Sequence, residues 1–184
     1  MDATYWNTFY NNNKSLFNCS EFCIFIMDYF KNFPPLTILD AGCGNGRDGY
    51  YMADKHMVTG IDNCGIQLEN RSQFNFINDT FITIDKSAYT LIYSRFTFHS
   101  ITNEDHLRFL STIKSGTYLV IEARSDKETI DEYYGKSHYR NYINMKYLKS
   151  ILIDFDILYI KEGKDMAIYK TENPVCVRVI CRKL

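Results

Sequence analysis

No apolar stretch in this 184-residue chain approaches the roughly 20 residues that a helix needs to cross a bilayer. The sequence also lacks a basic segment leading into an apolar one near its acidic Asp2, so no secretory signal is expected. A basic excess is missing too, the net charge being −1. Proteins held on phosphate by bulk contacts show a basic patch or stripe, so nucleic acid is a disfavoured partner. The six cysteines, at 19, 23, 43, 64, 176 and 181, form no CxxC pair, and no histidine stands at zinc-finger spacing. No metal site is evident from spacing, and this thiol usage fits a reduced, cytoplasmic setting. There is neither an internal repeat nor a long linker. The length therefore implies one domain over 1–184, a core at 34–184 preceded by an N-terminal helical cap at 1–33.

What is present is an aromatic-rich globular composition, 46% hydrophobic and 16% aromatic, with 15 Tyr and 13 Phe. Ser20 is a good N-cap, and Phe22, Phe25, Ile26, Tyr29 and Phe30 recur at helical spacing until Pro34 and Pro35 stop the helix. Strands are expected at Leu36 to Asp40, Val58 to Ile61, Phe74 to Ile77, Tyr89 to Tyr93 and Tyr118 to Glu122. Helices are expected at Arg47 to Lys55, Asn103 to Ile113 and Met145 to Leu152. Ile157 to Lys161 and Val175 to Arg182 read as a closing hairpin. Alternating strands and helices imply α/β architecture, a mostly parallel seven-stranded sheet with an antiparallel last strand and helices on both faces.

The chemistry centres on Asp40-Ala41-Gly42-Cys43-Gly44-Asn45-Gly46, between the first strand and a helix. Ligands of such sheets bind outside the carboxyl ends of the strands, at the topological switch point. A dinucleotide loop reads G-x-G-x-x-G and aims a helix N-terminus at a pyrophosphate. Here the spacing is G-x-G-x-G, and the preceding acid, Asp40, repels a pyrophosphate but suits an ammonium. Asp62 ends the second strand about twenty residues beyond the first glycine, where a carboxylate can accept both ribose hydroxyls or simply cap a helix. Asp79 ends the third strand, where an Asx turn is the plain alternative. Tyr93-Ser94-Arg95-Phe96 ends the fourth strand, and His99 follows, either functional or packed in the core.

Taken in order, these positions resemble the motifs of class I S-adenosylmethionine (SAM)-dependent methyltransferases, with the Rossmann-like fold of that family. The resemblance implies SAM as cofactor and S-adenosylhomocysteine as product. It implies cofactor contacts at Asp40, Gly42, Gly44, Gly46, Asp62, Asn63, Asp79, Thr80 and Tyr93. Aromatic segments similar to Tyr5-Trp6-Asn7-Thr8-Phe9-Tyr10 close over the cofactor in several members, while a packed N-terminal helix explains this one equally well. A narrower resemblance runs through Tyr93 to Ile101, Val120 to Ser125, Tyr134 to Arg140 and Asn173 to Val179. It is to small methyltransferases of surface-glycan biosynthesis, in capsule, O-antigen or viral glycan clusters, and it implies a glycan acceptor and a glycosyltransferase partner.

The residues are compatible with a polar acceptor. Arg95, Arg124, Tyr139 and Arg140 are candidate substrate contacts, and guanidinium pairs well with phosphate. Surface salt bridges are the alternative for the arginines. A sugar hydroxyl is a poor nucleophile, so SN2 transfer to it calls for a general base, with His99, His138 or Glu122 as candidates. The place after the fourth strand holds no D/N-P-P-[YFW], which favours an oxygen acceptor. An RNA methyltransferase, a thiol or oxyanion methyltransferase and a non-catalytic SAM-binding module stay open. A nicotinamide-dependent oxidoreductase is disfavoured by the glycine spacing.

Overall fold

A computed structural model describes residues 3–12, 18–127, 139–168 and 172–184. Helix α1 (Ala3–Asn12) and helix α2 (Glu21–Tyr29) precede the sheet. Ser20 caps α2 as its sequence implies, its hydroxyl accepting the Cys23 N–H at 3.1 Å. There follow β1 (Thr37–Ala41), α3 (Arg47–Met52), β2 (Met57–Ile61), β3 (Phe74–Ile77) and β4 (Leu91–Arg95). Helix α4 (Asn103–Ser111), β5 (Tyr118–Arg124), α5 (Met145–Ile151), β6 (Phe155–Gly163) and β7 (Cys176–Lys183) complete the chain. Thr102 and Asn144 cap α4 and α5 through their side-chain oxygens.

All seven expected strands form. The third helix is shorter than expected, ending at Met52 rather than Lys55, because 53–55 pass into the turn that leads to β2. The sheet order is β3-β2-β1-β4-β5-β7-β6. β1 pairs in parallel with β2 on one side and β4 on the other, which places the switch point between β1 and β4. β7 alone runs antiparallel, wedged between β5 and β6. Period-two alternation and burial on both faces sort the core into two layers. Leu39, Ile92, Ile121 and Val179 face a layer shared with Phe109 and Leu148, from α4 and α5. Ile38, Leu91, Tyr93, Val120 and Ile180 face one shared with Phe22, Ile26 and Met52, from α2 and α3. No helix among the described residues is long and apolar enough to cross a membrane.

Candidate functional site

The glycine loop leaves β1 through three left-handed residues, Gly42, Gly44 and Gly46, with φ of 77°, 54° and 75°. Two of them also need the missing side chain. A Cβ on Gly42 would lie 2.1 Å from the Thr97 methyl, and one on Gly44 would lie 2.0 Å from the Tyr10 hydroxyl oxygen. The Gly42 and Cys43 N–H groups donate to the Ile61 carbonyl, tying the loop to the end of β2. Asp62 completes the seam. Its buried carboxylate accepts the Gly44 N–H and the Cys64 N–H, each at 2.9 Å. The spacing between glycine and acid that the sequence displays is thus a physical contact.

A cavity of about 340 Å³ opens at this end of the sheet, within the range of small-molecule pockets. Asp40, Asp48 and Asp62 all line it. Asp48 is fully engaged, accepting the Ser20 N–H at 2.6 Å, the Ser20 hydroxyl at 2.7 Å and the Tyr93 hydroxyl at 2.8 Å. Asp40 is not. It is 3% exposed, and its Oδ2 has no hydrogen-bond partner among the described residues. Burial pushes the Asp40 carboxyl well above the ordinary value, and the charges of Asp48 and Asp62 push it further. A buried, unsatisfied carboxylate oxygen beside two other acids is costly unless a proton neutralises it or a cation meets it.

Helix α1 forms one wall, through Trp6, Phe9 and Tyr10. The N-terminal aromatic segment is therefore both a packed helix and a cover over the loop. The opposite wall comes from the β4 and β5 ends and from the loop between β6 and β7: Phe96, Arg124, Met166 and Ile168. Phe96 holds φ of 59°, a strained conformation for an aromatic residue, with the Arg95 guanidinium 4.4 Å from its ring centroid.

The expected contacts divide. Asp40, Gly42, Asp62, Tyr93, Arg95, Arg124 and Arg140 line the cavity. Arg124 pairs with Glu172 at 2.9 Å, and Arg140 donates to the Tyr142 hydroxyl at 3.2 Å. Gly44, Gly46, Asn63, Asp79, Thr80 and Tyr139 do not line it. Asp79 is exposed and accepts the Thr80 N–H at 2.6 Å, a local turn bond. Tyr139 is 49% exposed.

Two candidate bases are corrected by the geometry. His99 is buried outside the cavity lining, and its Nδ1 accepts the Arg124 backbone N–H at 3.1 Å. That bond spends the lone pair a base would use and fixes the neutral ring's proton on Nε2. Glu122 is fully buried between two guanidiniums, with Arg95 Nε donating at 3.0 Å and Arg178 Nε at 2.7 Å. Burial pushes its carboxyl up and the two cations pull it back, so it serves as a charge-paired brace. His138 lies outside the described residues. Sequence reading missed Asp48 as a site residue, although it stands two positions past the last loop glycine. It also missed Arg178, whose partners are too distant in sequence to signal it.

The sheet order and its flanking helices are those of the Rossmann-like methyltransferase fold. No protein-family model matches the sequence, and no curated protein matches it. Solved structures do. A SAM-dependent methyltransferase from Anabaena variabilis matches with a TM-score of 0.77 and 16% identity, over 100% of this chain and 94% of its own. TehB from Haemophilus influenzae matches with a TM-score of 0.65 and 19% identity, over 86% of this chain, which spans 61% of that protein. The Burkholderia thailandensis 1,6-didemethyltoxoflavin-N1-methyltransferase, bound to 1,6-didemethyltoxoflavin and S-adenosylhomocysteine, matches with a TM-score of 0.64 and 15% identity. That alignment covers 88% of this chain and 76% of the other. At these identities the likeness is one of fold.

Proposed function

We propose that this chain is a SAM-dependent methyltransferase acting on a small polar acceptor. The observation that carries the proposal is Asp40, which lines a cavity at the switch point of the sheet and whose buried Oδ2 has no hydrogen-bond partner among the described residues. Three carboxylates in one crevice repel a pyrophosphate and suit a ligand bearing cationic groups. The residues therefore fit SAM better than a dinucleotide, and the glycine loop brings the backbone of Gly42 and Cys43 to the cavity lining. The fold neighbours support the same cofactor, one of them by the S-adenosylhomocysteine bound to it.

When bound, SAM supplies an electrophilic methyl group on a sulfonium. The chain's own residues hold and orient. Asp40 receives the ammonium, and Asp62, itself fixed by two backbone N–H groups, receives the ribose hydroxyls. Phe96, Met166 and Ile168 shape an apolar wall, while Arg124 and Arg140 bring donors to the acceptor side. Helix α1 shields the crevice from water.

Transfer to a sugar hydroxyl is the finer reading, and it now rests on His138. His99 and Glu122 are committed elsewhere, and among the described residues no histidine lines the cavity. His138 lies two positions before Arg140, which does line it. The test is S-adenosylhomocysteine production from SAM with sugar, sugar-phosphate, thiol and oxyanion acceptors. Turnover of sugars that falls at least about a hundredfold in His138→Ala supports the hydroxyl reading. Turnover of thiols or oxyanions alone, indifferent to His138, transfers the proposal to an acceptor that needs no base. No turnover of any acceptor leaves a non-catalytic SAM-binding module.

A further inference from the structure

An amino acid carried on a nucleoside presents two opposite charges on one carbon. Recognising it takes an acid and a cation on the same wall of a cavity. Asp40 supplies the acid, and the search for its counterpart leads to Arg95.

Asp40 and Tyr93 are register partners across β1 and β4. Both side chains point toward α3: a Cβ on Gly49 would meet Asp40 Oδ2 at 3.0 Å, and the Tyr93 hydroxyl donates to Asp48. Arg95 is two residues beyond Tyr93, so it projects from the same face, about 7 Å closer to the carboxyl end of the sheet. It lines the same cavity, with 19% of its side chain exposed. Arg95 is also the cation that acts on the Asp40 carboxyl, opposing the two neighbouring acids.

The guanidinium is held in a set orientation. Its Nε donates to one oxygen of Glu122, whose other oxygen takes Nε of Arg178. Arg178 in turn donates to the Met166 carbonyl and stands over the Phe22 and Phe25 rings, 5.3 and 5.5 Å from their centroids. Two guanidiniums on one carboxylate leave a positive charge in excess. No acceptor among the described residues takes the terminal nitrogens of Arg95, which are not sealed from the cavity. A braced guanidinium presenting its terminal N–H groups is the geometry for a carboxylate.

Resting on the cofactor proposed above, we infer that Arg95 receives the carboxylate of the cofactor's amino-acid tail while Asp40 receives its ammonium. Arg95 thereby belongs to cofactor selection and not to the acceptor. It makes the site selective for adenosyl compounds that keep the whole amino acid over those that lack it.

The test compares S-adenosylhomocysteine with 5′-methylthioadenosine, which shares the thioether nucleoside and lacks the amino-acid tail. Affinities of both are measured by calorimetry on the wild type, Arg95→Met and Arg95→Lys. Glu122 keeps Arg178 in each variant, so the buried carboxylate is never left unpaired. Arg95→Met is expected to weaken S-adenosylhomocysteine by about tenfold to a hundredfold, the weight of a charge-assisted hydrogen bond, and to leave methylthioadenosine within about twofold. Arg95→Lys recovers part of the loss. Methylthioadenosine doubles as a check that the variants fold. Unchanged binding of S-adenosylhomocysteine, or equal weakening of both ligands, overturns the assignment of Arg95 alone. A wild type that binds neither ligand overturns the cofactor as well.

Discussion

Asp40 is the residue on which the cofactor reading turns, and its two roles predict opposite effects of one substitution. Burial and two neighbouring acids raise its folded carboxyl above the unfolded value. The folded state therefore holds more protons than the unfolded one between those two values, and Asp40 costs stability as pH rises through that window. Asp40→Asn removes the cost while keeping the shape, so thermal unfolding at neutral pH is expected at the same or a higher temperature. The same substitution removes the charge that meets the ammonium, so S-adenosylhomocysteine affinity falls at least about tenfold. A ligand that needs the ionised carboxylate also displaces its proton. In the wild type, affinity should rise with pH above the ordinary carboxylate range as Asp40 ionises, and this dependence should vanish in the Asn variant. Calorimetry as a function of pH checks both. A variant that binds like the wild type removes Asp40 from the site.

The same scale shows why some site residues were legible in the sequence and others were not. Asp40, the glycines and Asp62 stand at strand ends at fixed spacing, and one short segment brings them together. His99 follows the fourth strand and Glu122 ends the expected fifth one, which made them resemble bases. What disqualifies them is partners remote in sequence, the Arg124 backbone for one and Arg178 for the other. Asp48 looked like an ordinary first-turn acid. Its function as the junction of Ser20 and Tyr93 emerges only when α2 and β4 pack against α3.

Among the elements, the caps and strands followed from local chemistry. Ser20 and the prolines after α2 bound that helix, and continuous apolar runs make strands covered on both faces. The seat of α1 did not follow, because it depends on Tyr10 reaching Gly44 and Asn7 reaching Gly65 across the crevice. Trp6, the single tryptophan of the chain, sits on this helix and lines the cavity. Its fluorescence is therefore expected to change on saturation with S-adenosylhomocysteine. Gly42→Ala is expected to abolish that response, since the new methyl would strike Thr97 at a φ of +77°. It should also lower the unfolding free energy by about 1–2 kcal/mol or more. Fluorescence that ignores the ligand while calorimetry shows binding would contradict the place given to α1.

At the scale of the molecule, the sheet order concentrates the candidate site at one end. β1 turns one way to β2 and the other to β4, and the crevice between their carboxyl ends collects an acidic side from β1, α3 and β2. Its guanidiniums come from β4 and β5, through Arg95 and Arg124. The alternation of elements made this topology readable, and the reversed β7 was foreshadowed by the closing hairpin. The long loop between β6 and β7 was not, since its contribution, through Met166 and Ile168, depends on folding back over β4.

The central claim is that this crevice takes an adenosyl amino acid and rejects a pyrophosphate. The most direct measurement is calorimetric titration of the purified chain with S-adenosylhomocysteine and, separately, with NAD. Dissociation in the micromolar range for S-adenosylhomocysteine, with no heat from NAD, is the predicted result. Binding of NAD, or of neither compound, would contradict it.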